Sequence, residues 1–170
     1  MADVEALYAA NHNRLFRYFC RAVGHVEDAR ELTHDVFVRV SRSVVPTGSE
    51  LAQRGWLFSI ARNLVLDHQR TRRRRPRVEA LADTAVRVAS QQTSVEVNEA
   101  LAALPDVDRD VFLLREVAGL GYDDIAFACG ITPDAVRNRI HRARLQLRLR
   151  LSEPIAARRS TPMRRTGRDA

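Results

Sequence analysis

Apolar positions recur every three to four residues along most of the chain, whereas the alternation that is typical of β-strands is absent. Two stretches with this helical period, residues 3–23 and 26–43, are separated by Gly24, and a third runs over residues 54–74 until Pro76. Because glycine and proline interrupt helices, the pattern predicts three helices in the first half of the chain.

The pattern changes after the third helix. Small and polar residues follow, which predicts a flexible linker with some helical tendency. Apolar periodicity then returns in four short stretches that are broken at Pro105, Gly119 and Gly130. The fold class is therefore expected to be all-α, with two small helical domains joined by a flexible linker. The expected boundaries are a first domain at 3–75, a linker at 76–94, a second domain at 95–151 and a disordered basic tail at 152–170.

The end of the second domain has the sequence pattern of a helix-turn-helix. Gly130 stands where the chain must turn sharply with positive φ, and Thr132 followed by Pro133 is a favourable start for the next helix. The apolar face of that helix leaves polar side chains exposed, and arginine and asparagine can hydrogen-bond base edges in the major groove. The residues predicted to read bases are Arg137, Asn138 and His141, and those predicted to hold the DNA backbone are Arg142, Arg144 and Arg148.

Charge is segregated along the chain in a way that supports two nucleic-acid contacts. The net charge is +7, every basic residue is arginine, and the sequence pI is about 10.7. Residues 54–75 carry a charge of +6 and residues 137–150 another +6, whereas residues 96–136 carry −7. Two basic stripes on separate helices are the expected footprint of two contacts with a polyanion.

The sequence predicts no metal, cofactor or catalytic site. The two cysteines, Cys20 and Cys129, are far apart and fall on apolar helical faces, so they are interpreted as small core residues. The N-terminus is acidic and lacks the apolar run of a signal peptide, and no segment has the length of a membrane helix. We expect a cytoplasmic protein without membrane insertion.

The two halves together resemble a known family. Residues 99–147, which contain the helix-turn-helix, are similar to domain 4 of the extracytoplasmic-function sigma factors of RNA polymerase. Residues 8–75 resemble sigma domain 2 through VEDARELTHDVFVRV (26–40) and RGWLFSIARNLVLDHQRTRRRR (54–75). The sequence departs from the family pattern at His34, where glutamine is usual, and at Gly121, where serine or threonine is common.

The resemblance implies a role for each half. Domain 4 would bind the −35 promoter element and the β flap of core RNA polymerase. Domain 2 would bind the β′ coiled coil through Glu31, Asp35 and Arg39, and the −10 element through Arg62, Asn63, Arg70 and Arg73, with the loop over residues 44–54 influencing −10 preference. Trp56 is interpreted as a core residue rather than as a platform for base stacking. Promoter DNA, core polymerase and an anti-sigma factor are the partners that the resemblance implies.

Three other functions are consistent with parts of the sequence. A stand-alone helix-turn-helix regulator would account for the second domain, but not for the basic stripe of residues 54–75. A metal-dependent nuclease would need acidic residues to hold the metal, and no His-rich or Gly-rich catalytic spacing accompanies the candidates, which are Glu27, Asp28, Glu31 and Asp35. A sigma-like protein that has lost DNA binding would not need the basic face of residues 137–150.

Overall fold

The computed structural model describes residues 4–74 and 90–152, without the side chains of residues 90–94. Over these ranges the regular elements are seven α-helices and no strands, which confirms the all-α prediction. The helices are α1 (Val4–Val23), α2 (Val26–Ser41), α3 (Glu50–Arg74), α4 (Ser90–Ala102), α5 (Asp106–Glu116), α6 (Tyr122–Cys129) and α7 (Pro133–Ser152).

Helices α1, α2 and α3 pack against one another around a core of large side chains. Tyr18 of α1 meets Phe58 of α3 edge to face, with ring centroids 5.5 Å apart. This T-shaped arrangement is favourable for aromatic pairs. The largest fully buried side chains of this half are Leu15, Tyr18, Phe19, Val36, Val40, Leu57, Phe58 and Val65.

Local signals in the sequence explain where the first three helices end and begin. Gly24 has φ of +78°, which favours glycine and separates α1 from α2. The hydroxyl of Ser49 accepts a hydrogen bond from the Ala52 N–H at 3.2 Å, which is the contact of an N-cap residue. Helix α3 therefore begins at Glu50, earlier than the predicted start near residue 54.

Helices α5, α6 and α7 form the second group, with α4 packed on α7. Helix α4 begins at Ser90, so residues 90–94, the last five of the predicted linker, are helical. Residues 75–89 and the tail 153–170 lie outside the described residues, and the predictions made for them stay predictions.

The turn between α6 and α7 has the geometry predicted for a helix-turn-helix. Gly130 has φ of +65°, and the Ile131 N–H donates to the Ala126 carbonyl at 3.1 Å, which closes α6 with a Schellman motif. The Thr132 hydroxyl then accepts from the Ala135 N–H at 3.2 Å and caps α7. The predicted roles of Gly130 and Thr132 are confirmed.

The two groups of helices also contact each other, which the sequence did not indicate. Helix α3 packs against α6, and α1 packs against α5. Within residues 4–74 and 90–152, no helix is both long enough and apolar enough to cross a membrane. Cys20 and Cys129 are half-buried free cysteines that pack against the core, as interpreted from the sequence.

We predict that Gly130→Ala lowers the free energy of unfolding by about 1 kcal/mol, because an L-residue with a Cβ is strained in the left-handed region. A Cβ at this position would meet no atom within 4 Å, so the cost comes from the backbone alone. Gly130→Asn should cost less, since asparagine tolerates this conformation. Urea unfolding of the three proteins measures the effect, and identical midpoints for all three would contradict the left-handed turn.

Candidate nucleic-acid interface

Helix α7 is divided into a buried face and an exposed face. The buried face consists of Val136, Ile140, Ala143 and Leu147. It packs against α5 and α6. The exposed face near the N-terminus carries the three residues predicted to read bases, Arg137, Asn138 and His141. The first turns of the helix therefore present hydrogen-bonding side chains to solvent, as insertion into a major groove requires.

Acidic and aromatic side chains fix the positions of two arginines of α7. Arg137 pairs with Asp134 and also lies over the ring of Tyr122, with the guanidinium carbon 5.3 Å from the ring centroid. Arg144 pairs with Glu116 at 2.5 Å. Arginines that are already ordered lose less conformational entropy when they bind a phosphate or a base.

Asp108 is an acceptor shared by two arginines of α7. Its side chain is 4% exposed, and its Oδ1 receives bonds from Arg139 at 2.7 Å and from Arg142 at 3.2 Å. A buried carboxylate needs such partners, because burial of an unpaired charge is costly. The contact therefore ties α5 to the middle of α7. Neither Asp108 nor Arg139 was identified from the sequence, since their pairing depends on the crossing of two helices.

The four residues of α3 that are predicted to contact the −10 element lie in two different environments. Asn63, Arg70 and Arg73 are exposed. The side chain of Arg62 is only 14% exposed, with its Nε 3.3 Å from Oδ2 of Asp110, and its Nη1 donates to the Ala128 carbonyl at 3.2 Å. Arg62 is therefore engaged by α5 and α6 rather than directed to solvent.

A small polar cluster surrounds this ion pair. Asp110 has a side-chain exposure of 4%, and burial raises the pKa of its carboxyl group although Arg62 and Arg109 oppose the shift. The hydroxyl of Tyr18 is fully buried near Asp110, and burial raises its pKa well above the usual value. Burial likewise raises the pKa of Cys129 to about 11. The cluster is thus poorly solvated and joins the two groups of helices.

Three further polar contacts cross between the groups. Arg73 donates to Asp106 at 2.8 Å, and this hydrogen bond lowers the pKa of the Asp106 carboxyl group. Arg14 donates to the Ala118 carbonyl at 3.2 Å. Arg21 donates to Asn98 Oδ1 at 2.9 Å. In all three contacts an arginine of the first group is the donor.

Helix α2 carries the residues predicted to bind core polymerase, and its surface differs from those of the two basic helices. Glu31 and Arg39 are exposed on it and Asp35 is half-buried, at the spacing of successive turns. Beside them, a groove of about 690 Å³ between α1 and α2 is lined partly by Tyr8 and Phe37. A charged helix face beside an apolar groove is suited to contact with another protein.

The loop before α3 is largely exposed, with Val44 at 93% exposure. Trp56, in the second turn of α3, is half-buried and packs against the core. This placement confirms the interpretation of Trp56 as a core residue.

Both halves of the chain match family models. Residues 7–75 match the model for Sigma-70 region 2, and residues 94–147 match the model for Sigma-70, region 4. The ECF RNA polymerase sigma factor SigC of Mycobacterium tuberculosis is 33% identical over 147 residues, which are 83% of this chain and 79% of SigC. The chain belongs to the ECF sigma factors of RNA polymerase. The helices α1–α3 are its sigma domain 2, and α4–α7 its sigma domain 4.

Other sigma factors are similar over most of the chain. SigE of Mycolicibacterium smegmatis, an ECF sigma factor, is 35% identical over 159 residues. The match covers 87% of this chain but 61% of SigE, so the chain spans about three fifths of that relative. YlaC of Bacillus subtilis, an RNA polymerase sigma factor, is 27% identical over 161 residues, with 89% of this chain and 93% of YlaC covered.

Solved structures of sigma factors share the fold. CnrH in complex with the cytosolic domain of CnrY is similar with a TM-score of 0.68 and 25% identity, over 87% of this chain and 86% of CnrH. RpoE of Bartonella quintana, in complex with the anti-sigma factor NepR, has a TM-score of 0.69 and 22% identity, over 89% of this chain and 98% of RpoE. Both comparisons extend over sigma domains 2 and 4.

We predict that Asp108→Ala lowers the free energy of unfolding by about 2 kcal/mol, because Arg139 and Arg142 lose a buried charged acceptor. Asp123→Ala is the matched control, since Asp123 is an exposed acid of the same domain. Urea unfolding measures both variants. An Asp108 variant within about 0.5 kcal/mol of the control would show that the shared carboxylate does not fix α5 to α7.

We also predict that Cys129 reacts slowly with thiol reagents in a Cys20→Ser variant, in which it is the single thiol. A pKa of about 11, raised by burial from 9.0, lowers its thiolate fraction at pH 8 by roughly 100-fold relative to the unfolded chain. The alkylation rate of the folded protein should keep rising with pH beyond about pH 10, because the thiol is still mostly protonated there. A rate that is half-maximal near pH 9 and levels off above about pH 10 would argue against the buried position of this thiol.

Proposed function

We propose that this sigma factor binds core RNA polymerase, recognises the −10 and −35 promoter elements and promotes the initiation of transcription. The observation that carries the proposal is the order of two matched domains, each of which presents a basic helix: α3 in domain 2 and α7 in domain 4. When polymerase holds both domains on one promoter, the second DNA contact is intramolecular. The affinity for the whole promoter then exceeds that of either domain alone.

The −35 element is proposed to be read by α7. Arg137, Asn138 and His141 are exposed on its first turns, where arginine can pair with guanine and asparagine with adenine. Arg142, Arg144 and Arg148 follow on exposed positions further along the helix. We assign these three to phosphate contacts.

The −10 element is proposed to bind along α3. Asn63, Arg70 and Arg73 are exposed, and the loop before the helix is accessible as well. Arg62 joins this surface only after it leaves Asp110. Unstacking a base of the melted strand costs a few kcal/mol, which contacts from this surface and the loop would have to offset.

Two protein partners are proposed for domain 2 and domain 4. Glu31, Asp35 and Arg39 of α2 are assigned to the β′ coiled coil of core polymerase, and domain 4 is assigned to the β flap. An anti-sigma factor is proposed as a regulator. RpoE of Bartonella quintana, which has a similar fold, was solved in complex with the anti-sigma factor NepR.

The protein is proposed to act in the cytoplasm, where core polymerase is present, and to have no catalytic activity of its own. Two acids that a metal-dependent nuclease would need are paired with basic side chains. Glu27 lies 2.7 Å from Arg30, and Asp28 lies 3.3 Å from His68 of α3. Their arrangement supports a structural role on the surface of domain 2.

Transcription with purified components tests the proposed function. The chain is mixed with core RNA polymerase that lacks any other sigma factor, genomic DNA fragments serve as template, and the 5′ ends of the transcripts are mapped. Transcripts that start at defined sites only when the chain is present support the proposal. If the chain binds the fragments without directing initiation, it is a stand-alone helix-turn-helix regulator instead.

We predict that Arg137→Ala and Arg148→Ala weaken promoter binding in different ways. Loss of a base-reading arginine should reduce discrimination between wild-type and mutated −35 elements by about 1–3 kcal/mol. Loss of a phosphate contact should weaken binding to all sequences and lower the salt dependence by about one unit of slope. Competition binding of the holoenzyme measures both, and an equal loss of discrimination in the two variants would contradict the assignment.

A further inference from the structure

Tyr122 has no role in the function proposed above, yet its ring lies beside two arginines of neighbouring helices. The guanidinium carbon of Arg115, in the last turn of α5, is 4.7 Å from the ring centroid, and that of Arg137, in α7, is 5.3 Å away. A cation within about 6 Å of the centre of an aromatic ring is attracted by the negative face of the ring. Tyr122 therefore contacts the first of the three residues that are proposed to read bases.

The ring of Tyr122 is held in place by the turn and the core around it. Tyr122 is the first residue of α6, and the Ile125 N–H donates to the Gly121 carbonyl at 3.1 Å to close the first turn of this helix. The side chain of Tyr122 is half-buried and packs against the core. Arg115 in turn donates to the Leu120 carbonyl at 2.7 Å, just before α6 begins. The ring is therefore a fixed surface beside the start of α7.

Arg137 has a second partner, Asp134, and the two contacts use the guanidinium in different ways. The ion pair joins residues three apart on α7, and the side chains of Arg137 and Asp134 are 58% and 83% exposed. Such exposed pairs are weak, and this one takes up an N–H group that could otherwise bond guanine. The contact with Tyr122 depends on the charge of the guanidinium and uses none of its N–H donors. It is therefore compatible with a bond between Arg137 and a base, whereas the pair with Asp134 competes with that bond.

The orientation of Arg137 matters for discrimination between bases. Arginine reads guanine through two hydrogen bonds, so its guanidinium must be turned to make both. An arginine that is already restricted loses less rotamer freedom when it binds. A base pair without the two acceptors of guanine does not form this pair of bonds. The gain from a restricted Arg137 therefore applies to the matching sequence and increases discrimination.

We propose that Tyr122 is a positioning residue for −35 recognition, which holds Arg137 in the orientation that pairs with a guanine. The inference rests on the base-reading role proposed above for Arg137. The contacts that carry it lie within α5, α6 and α7, so it does not depend on how these helices meet α1–α3. A cation–π contact at an exposed site is worth about two- to fivefold in an equilibrium constant, which sets the size of the expected effect.

Competition binding of the holoenzyme tests the inference. Fragments with a mapped −35 element compete with fragments in which one guanine is replaced, and the ratio of the two affinities measures discrimination. The guanine read by Arg137 is the one at which Arg137→Ala loses discrimination. Tyr122→Leu removes the ring but keeps an apolar side chain, and should lower discrimination at that guanine by about threefold. Tyr122→Phe keeps the ring and should discriminate as the wild type does.

A double variant separates positioning of Arg137 from a general effect on the fold. In an Arg137→Ala chain, Tyr122→Leu should cause no further loss of discrimination, because the side chain that the ring positions is already absent. Phe112→Leu is the matched control, since it removes another half-buried ring of the same domain, over which no arginine of the described helices lies. This control should keep the discrimination of the wild type. Circular dichroism shows which variants are folded, and Tyr122→Met replaces Tyr122→Leu if the latter is not.

Three results would overturn the inference. The first is a Tyr122→Leu chain that discriminates as well as the wild type, and the second is an equal loss in Tyr122→Phe. The third is a loss from Tyr122→Leu that is as large without Arg137 as with it. Each of these leaves the proposed function intact as long as Arg137→Ala itself lowers discrimination. If Arg137→Ala has no effect on discrimination, the base-reading role fails and the inference fails with it.

Discussion

The ion pair between Arg62 and Asp110 determines how the two halves of the molecule meet. Both side chains are largely removed from water, and a desolvated charge is costly unless a partner of opposite sign is well placed. The Ala128 carbonyl accepts a second bond from Arg62, so the guanidinium is held by two elements of domain 4 at once. A shift of α3 relative to α5 and α6 would leave both charges unpaired, which makes this crossing specific rather than a loose association of two helical domains.

The helices themselves were largely predictable from the sequence. Apolar periodicity located both ends of five of the seven helices within a few residues, and the turn at Gly130 followed from the need for positive φ next to the Thr132 cap. The start of α3 was missed, because Ser49 acts as a cap within a segment rich in loop-forming residues. The start of α4 was missed because Ser90 begins a polar stretch that has no apolar period.

The candidate site was less predictable than the fold. Periodicity correctly indicated that Arg137, Asn138 and His141 are exposed, because one helix determines its own exposed face. Periodicity did not indicate that Arg62 is covered, because the partner of Arg62 is Asp110, which lies on a different helix much later in the chain. The same holds for Asp108, which is joined to Arg139 only by the crossing of α5 and α7. Pairings of this kind depend on tertiary geometry, which a single sequence does not encode in any local pattern.

The ion pairs between the two groups of helices differ in how far they are removed from water. The pair of Arg73 with Asp106 is half exposed, so either partner can exchange it for water or another charge at little cost. The pair of Arg62 with Asp110 is largely buried, and breaking it would leave a buried charge without a partner. A DNA phosphate can form the same kind of charge-assisted bond with an arginine that a carboxylate provides. Arg73 is therefore available for the proposed contact with the −10 element in this structure, whereas Arg62 first has to leave Asp110.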